Sequence, residues 1–186
     1  MLYQEVKNSM LRLLRSFRIK SITKDEVTLI RKYLTKEEQI LFYRQSFIDQ
    51  THALRTLKKV MNQVQSSSRR HQVTALYKAC LLHDIGKIEG VFPRRMRIGI
   101  ILIKLLIPFL AHYLSKKGEK EYTEKKRPEK SFAYNYYVYI NHATLGTQLL
   151  EEWGTPAEVR EIILQSDKEF SINEKIDATL LRTADK

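Results

Sequence analysis

Four short segments with the composition of helix N-termini constrain most strongly how this chain can fold. In each of them a Ser or Thr precedes a Glu by three residues, at positions 23–26, 35–38, 155–158 and 171–174. The hydroxyl can then accept a hydrogen bond from a backbone N–H of the helix. The Glu carboxylate accepts one from the backbone N–H of the Ser or Thr. In the third segment Pro156 also falls at the first helical position, where its missing N–H costs nothing. The chain is therefore predicted to be all-α.

Apolar periodicity and chain breakers predict where the longer helices lie. The predicted helices are at about 47–65, 72–86, 96–117, 132–152, 157–166 and 174–186. The aromatic run 134–140 is ambiguous, since it also suits a strand. Residues 1–46 are interpreted as a small N-terminal appendage of two or three short helices, and 47–186 as one domain. A linker is predicted at 66–70, and an apolar and basic insertion at about 94–130, ending in a charged connection.

Composition favours a cytoplasmic globular protein. A chain of 186 residues that is 43% hydrophobic can bury a real core, and six Gly and four Pro argue against a loop-rich protein. Its single cysteine, Cys80, excludes an internal disulfide and is interpreted as a small core residue. Charges interrupt residues 1–20, so no signal peptide is predicted. The predicted location is the cytoplasm, with the inner face of the membrane as a peripheral alternative.

Residues 83–87, which read His-Asp-Ile-Gly-Lys, include side chains suited to binding a metal ion and a phosphate. The imidazole of His83 and the carboxylate of Asp84 are a natural ligand pair for a divalent transition metal. Gly86 can end the preceding helix, and Lys87 can hold a phosphate as a point charge. The apolar spacing of the 72–86 helix also puts His83 on its buried face.

Other residues complete an ordered set. His52 lies near the start of the 47–65 helix, and Asp185 shares a face of the last helix with Leu181. With His83 and Asp84, this order resembles the HD-domain superfamily of metal-dependent phosphohydrolases, in particular its His-Asp-x-Gly type. The resemblance covers about residues 47–186. It implies a helical bundle that holds one or two divalent metals and hydrolyses phosphate esters, often nucleotides.

A binuclear subset of that superfamily adds two further histidines. The first lies in a His-x-x-x-Gly segment, which His142 and Gly146 match. The second usually falls where this chain has Gln165 or Ser166, and glutamine is a poor ligand for transition metals. Asp167 is a weak candidate to replace the missing histidine as a ligand. The resemblance thus implies one ion of Mn, Fe, Ni, Co or Zn, with His142 as a second-metal ligand or a residue supporting the site.

The resemblance also implies roles in catalysis. Asp84 would orient or deprotonate the attacking water, and Lys87 and Arg55 would stabilise phosphate charge, with Arg182 a weaker candidate. The plainer alternatives are a solvated helix end for Lys87, a surface arginine for Arg55 and an ion pair for Arg182. The predicted function is hydrolysis of a nucleotide or other small phosphorylated metabolite. The alternative is a catalytically weak or inactive module that binds a ligand, a membrane or a regulatory partner.

The basic charge and one apolar segment point to a further surface. The formal net charge is +12, and residues 94–130 hold 11 Lys or Arg against 4 Glu. Residues 98–114 are mainly Ile, Leu and Phe, but the run is too short to favour a spanning helix. Residues 96–117 are predicted to meet an anionic membrane surface or a second copy of the chain, flanked by Arg94, Arg95, Arg97, Lys116 and Lys117. A buried helix pair is the alternative, and nucleic-acid binding ranks last because no recognised motif accompanies the charge.

Overall fold

The computed structural model describes residues 21–65, 73–124, 131–167 and 176–185. These residues form ten α-helices and one short 3-10 helix, with no strand among them, so the all-α prediction is confirmed. The α-helices are α1 (Lys24–Tyr33), α2 (Lys36–Arg44), α3 (Phe47–Gln65), α4 (Thr74–Leu82), α5 (Arg94–Leu106), α6 (Pro108–Thr123), α7 (Phe132–Ile140), α8 (His142–Glu152), α9 (Ala157–Asp167) and α10 (Ile176–Asp185). The 3-10 helix is Ile85–Glu89.

Capping boxes begin the first two helices as predicted. At α1 the backbone N–H of Thr23 donates to Glu26 over 2.8 Å, and the N–H of Glu26 donates to the Thr23 hydroxyl over 3.3 Å. Thr35 and Glu38 repeat this reciprocal pair at α2. Before α9 the Thr155 hydroxyl donates to Glu38 over 3.0 Å. The segment at 171–174 lies outside the described residues, as do the linker at 66–70 and residues 1–20.

Three predicted helices are shorter than expected. The helix expected at 72–86 ends at Leu82, and the Cys80 carbonyl in its last turn accepts from the His83 ring. The helix expected at 96–117 breaks at Ile107, whose backbone is non-helical because proline follows it. The helix expected at 132–152 divides at Asn141, and the ambiguous run 134–140 is helical. In the charged connection, residues up to Thr123 belong to α6.

The described residues separate into two compact units. The insertion unit is Lys87–His142, and the site unit comprises the described parts of Lys20–Gly86 and Ala143–Lys186. All the described residues of the predicted 94–130 insertion thus lie in the insertion unit, which also includes α7. The helices α1 and α2, which belong to the predicted appendage, fall within the site unit.

In the site unit α4 is the central helix. It packs against α1, α3, α9 and α10, and its residues Leu76, Cys80 and Leu81 are fully buried. The buried residues of its neighbours include Leu54 and Leu57 of α3 and Ile162 of α9, which are at most 1% exposed. Burial and the nearby charge of Asp185 raise the pKa of the Cys80 thiol far above its usual range. Cys80 is therefore a core residue, as its apolar sequence context predicted.

In the insertion unit α6 and α7 make the closest packing. Gly118 is buried on α6, and a Cβ there would overlap the carbonyl oxygen of Ala133 on α7, so only glycine permits this approach. The core of the unit is formed by buried side chains of three helices: Ile100, Leu114, Ala133 and Tyr136. Arg97, predicted as a basic flank, is instead buried, and its Nε donates to the Phe92 carbonyl over 3.0 Å. None of the described helices is long and apolar enough to cross a membrane.

Candidate metal centre

Two histidines and one aspartate from separate elements converge in the site unit. His52 lies in the second turn of α3, His83 follows the end of α4, and Asp185 is the last residue of α10. The His52 Nε2 atom is 2.6 Å from Asp185 Oδ1, and the His83 Nε2 atom is 3.2 Å from the same oxygen. One donor atom from each residue lies within 4.8 Å of the other two. The group could therefore hold a metal ion.

The imidazole of His83 is oriented by a backbone carbonyl of the preceding helical turn. Its Nδ1 lies 3.0 Å from the carbonyl oxygen of Cys80, and because a carbonyl can only accept, Nδ1 must carry the proton. Nε2 is then the nitrogen on the side of Asp185: it donates to that carboxylate when the ring is protonated, and it could ligate a metal when the ring is neutral. A backbone carbonyl that fixes the tautomer of a ligating histidine is a common outer partner of metal sites. The residue is 7% exposed, which further restricts the ring.

Asp185 is the negative centre of the group. Burial alone would raise the pKa of this carboxyl group, but hydrogen bonds and charge from His52 and His83 outweigh it and hold the pKa well below its usual range. The carboxylate is thus ionised at neutral pH, the form in which it ligates metals. Its side chain keeps 34% of its surface exposed, and that of His52 keeps 20%, so solvent can reach the group.

Asp84 lies beside the three-residue group. Its Oδ1 is 3.7 Å from His83 Nε2, and its side chain is only 3% exposed. From the sequence, Asp84 was predicted to ligate the same metal ion. In the structure it lies next to the imidazole of His83. Its part as a fourth ligand stays a prediction.

The arginines that were predicted to bind phosphate occupy different settings. Arg55 is half-buried on α3, one turn after His52, and its Nε donates to the Thr51 carbonyl over 3.3 Å. Arg182 on α10 donates from Nε to the carbonyl of Ser166 over 2.9 Å and also hydrogen-bonds the carbonyl of Gln165. Arg182 thereby satisfies carbonyls at the C-terminal end of α9, where a helix leaves them without partners. This is a structural role beyond the ion pair considered from the sequence.

Lys87 and His142 belong to the insertion unit. The ammonium of Lys87 lies 5.1 Å from the centroid of the Tyr139 ring, within the range of a cation–π contact. His142 is the first residue of α8, and its Nδ1 lies 2.8 Å from the Tyr139 carbonyl oxygen. Their parts in phosphate and second-metal binding stay predictions.

The donor set itself indicates which ions suit the group. Two imidazole nitrogens and one carboxylate oxygen form a mixed set that favours divalent ions such as Mn, Fe, Co, Ni or Zn over Mg or Ca. Comparison of the chain with protein-family models, curated proteins and solved structures finds no match.

Two residues that support the centre were not assigned this role from the sequence. Lys59 lies seven residues after His52 on α3, and its ammonium donates to the carbonyl of Ala184 over 2.7 Å. Gly146 on α8 approaches the turn that follows Asp84, since a Cβ there would lie 2.8 Å from the Gly86 nitrogen. Lys59 lies on the same face of α3 as His52, because seven residues return to the same helix face, but its contact with Ala184 depends on how α3 and α10 pack.

We expect Gly146→Ala to destabilise the protein, although alanine is the better helix former by about 1 kcal/mol. The added methyl would also lie 2.9 Å from Ile85 Cγ2, and the backbone nitrogen of Gly86 cannot move aside like a flexible side chain. The turn carrying His83 and Asp84 should shift, weakening metal affinity as well. Gly99→Ala is the control, because its Cβ would meet only Phe132 at 3.9 Å. Chemical unfolding and metal titration would show the contrast, and equal stability changes would contradict it.

We also expect Lys59→Met to lower metal affinity by about 10- to 100-fold, in the range typical of residues that orient ligands. Its ammonium holds the carbonyl next to Asp185, so its loss frees the last turn of α10. The neighbouring Lys58→Met is the matched control, since Lys58 pairs with Glu26 of α1 over 2.7 Å. Calorimetric titration of both variants with Mn²⁺ measures the effect. Identical affinities for the two variants would mean that Lys59 does not position Asp185.

Proposed function

We propose that the protein is a metal-dependent phosphohydrolase of the HD superfamily, acting on a nucleotide or other small phosphorylated metabolite. The observation that supports this most directly is the convergence of His52, His83 and Asp185, three residues far apart in the chain. Their order along the chain suggested the same family before any spatial relation was known. One ion is proposed, because Gln165 and Ser166 stand where binuclear relatives would have a histidine.

Different residues of the chain can bind the metal and transfer the proton during hydrolysis. His52, His83 and Asp185 supply three protein ligands, which leaves coordination positions for a water and a phosphate oxygen. A divalent ion held there would lower the pKa of its water and polarise the phosphoryl group. Asp84 would accept the proton of the attacking water or orient that water, since its buried carboxylate lies 3.7 Å from His83.

Arg55 is the residue of this unit best placed to bind the phosphate. It follows His52 by three positions, so the two side chains are neighbours on one face of α3. A guanidinium offers a planar fork that matches two phosphate oxygens. The phosphate role of Lys87 and the metal-site role of His142 stay predictions from the sequence.

A substrate screen with matched variants tests this function. The chelated protein is reloaded with Mn²⁺ or Co²⁺, and phosphate release is followed on nucleoside mono-, di- and triphosphates, cyclic nucleotides and sugar phosphates. Turnover should need the metal, and Asp84→Asn should reduce kcat by at least about 100-fold, the contribution typical of a positioned acid or base. Arg55→Met should mainly raise KM. If nucleotides bind the metal-loaded protein without turnover, the chain is the ligand-binding module considered as the alternative.

A further inference from the structure

The tip of the α5–α6 hairpin in the insertion unit exposes an unusual amount of apolar surface. The break at Ile107 brings large apolar side chains to the turn between the helices. Their exposed fractions are Leu102 38%, Leu106 56%, Ile107 48%, Phe109 87% and Tyr113 54%. We call these five residues the apolar tip. Such surface is costly in water, so a group of exposed apolar side chains so close in sequence indicates a contact surface.

The apolar tip is distinct from the core of the insertion unit. The hairpin already packs Ile100 and Leu114 into that core, with Ile103 and Leu110 partly buried against it. The side chains of the tip lie on other faces of the same helices or at the break. They are therefore additional to the residues that hold α5, α6 and α7 together.

On α6 the exposed apolar side chains near the break are followed by exposed basic ones further along the helix. On α6 Phe109 and Tyr113 are followed by Lys116 and Lys117, which are exposed. These lysines begin seven positions after Phe109, about 10 Å along the helix axis. On α5 the exposed Arg95 lies seven positions before Leu102, on the same helix face. Tyrosine between an apolar end and basic residues is the order found at membrane interfaces.

The charge of the segment selects one kind of partner. Residues 91–118 contain six basic residues and no acidic one: Arg94, Arg95, Arg97, Lys104, Lys116 and Lys117. Lys104 is exposed close to the tip, and its long stem could extend to place the ammonium above an apolar layer. A second copy of this hairpin would bring like charges together, whereas an anionic lipid surface offers both apolar depth and opposite charge.

We propose that the apolar tip inserts into the surface of an anionic lipid bilayer, with Arg95, Lys104, Lys116 and Lys117 contacting the headgroups. The insertion is peripheral, since no described helix could cross the bilayer. It combines burial of apolar side chains with attraction between basic residues and acidic lipid. It is independent of the proposed hydrolysis, because the metal centre lies in the site unit.

Binding of the full chain to lipid vesicles tests the proposal. The protein should co-sediment with vesicles of mixed phosphatidylcholine and phosphatidylserine, bind pure phosphatidylcholine vesicles weakly, and be released partly by salt. Leu106→Ser combined with Phe109→Ser should weaken binding by more than about tenfold, as expected from the loss of two buried apolar side chains. Ile40→Ser is the matched control, because Ile40 is 55% exposed in the site unit and should not affect binding.

Two further variants separate insertion from adsorption by charge alone. Lys116→Gln with Lys117→Gln should weaken binding to the mixed vesicles, whereas Lys24→Gln with Lys36→Gln removes equal charge from the site unit and should change it much less. Phe109→Trp should retain binding and shift its fluorescence to shorter wavelength on the mixed vesicles. Vesicle binding that the tip substitutions leave unchanged would overturn the proposal. So would a protein that ignores these vesicles, whether it is monomeric or dimerises through the tip.

Discussion

Asp185→Asn should lower the affinity for Mn²⁺ or Co²⁺ by more than about 100-fold, beyond the typical effect of losing a residue that only supports a ligand. Asp185 is the residue that both imidazoles contact, at 2.6 Å from His52 and 3.2 Å from His83. An amide at this position keeps the shape of the side chain but removes its negative charge. The two histidines would then face a neutral group that ligates transition metals poorly.

Calorimetric titration of the chelated protein measures this loss. Asp167→Asn is the control, because Asp167 is exposed at the end of α9 and was considered from the sequence only as a weak replacement ligand. Its affinity should stay close to that of the wild type. If Asp185→Asn still binds one ion tightly, the three-residue group is not the metal centre.

The lowered pKa of Asp185 predicts how the metal-free protein responds to acid. Because the folded-state pKa lies below the ordinary value of 3.8, the ionised carboxylate stabilises the fold above that pH. This contribution is lost as the pH falls through the lower folded-state pKa. The wild type should therefore be more stable than Asp185→Asn near neutral pH, and the difference should shrink below about pH 4. Thermal unfolding of both metal-free proteins at several pH values measures it.

Glu38→Ala should destabilise the site unit by about 3–5 kcal/mol, the cost of breaking a buried ion pair by removing one partner. Glu38 is 1% exposed, and its carboxylate lies 2.8 Å from the ammonium of Lys78 on α4. It also accepts from the backbone of Thr35 over 2.9 Å and from the Thr155 hydroxyl over 3.0 Å. One side chain thus joins α2, α4 and the segment before α9, and its loss leaves the ammonium of Lys78 without this partner.

The matched control is Glu26→Ala, which removes the equivalent Glu of the other capping box. Glu26 pairs with Lys58, whose side chain is 49% exposed, so water can replace the lost contact. This substitution should cost about 1 kcal/mol. Denaturant unfolding followed by circular dichroism compares the two. Equal losses would mean that burial of the Glu38 pair contributes nothing beyond its capping bond.

The elements that local chemistry determines were predictable from the sequence. The capping boxes at Thr23 and Thr35 depend only on residues three positions apart. Such local patterns were enough to predict an all-α fold. The break at Asn141 was missed because apolar periodicity continues across it, and the break at Ile107 was considered only in the alternative of a buried helix pair. Pro108 gave the usable signal for the break at Ile107, since proline favours a helix start and disfavours helical backbone in the residue before it.

The three converging residues of the candidate site were predictable from the sequence, but the residues that support them were not. His52, His83 and Asp185 could be grouped because each lies on, or directly after, a helix with apolar residues, in a recognisable order. The contacts of Lys59 with Ala184 and of Gly146 with the turn after Asp84 join residues distant in sequence. Such contacts depend on how whole helices pack, and no local pattern encodes that packing.

Titration of the chelated wild-type protein with Co²⁺, followed by its visible absorption, tests the proposed metal centre most directly. We expect one Co²⁺ to bind per chain, with a spectrum that reports nitrogen and oxygen ligands. His52→Ala should lose that spectrum and most of the affinity, because it removes one of the three converging donors. A wild-type protein that takes up no Co²⁺, or a His52→Ala variant that binds it equally well, would contradict a metal centre at His52, His83 and Asp185.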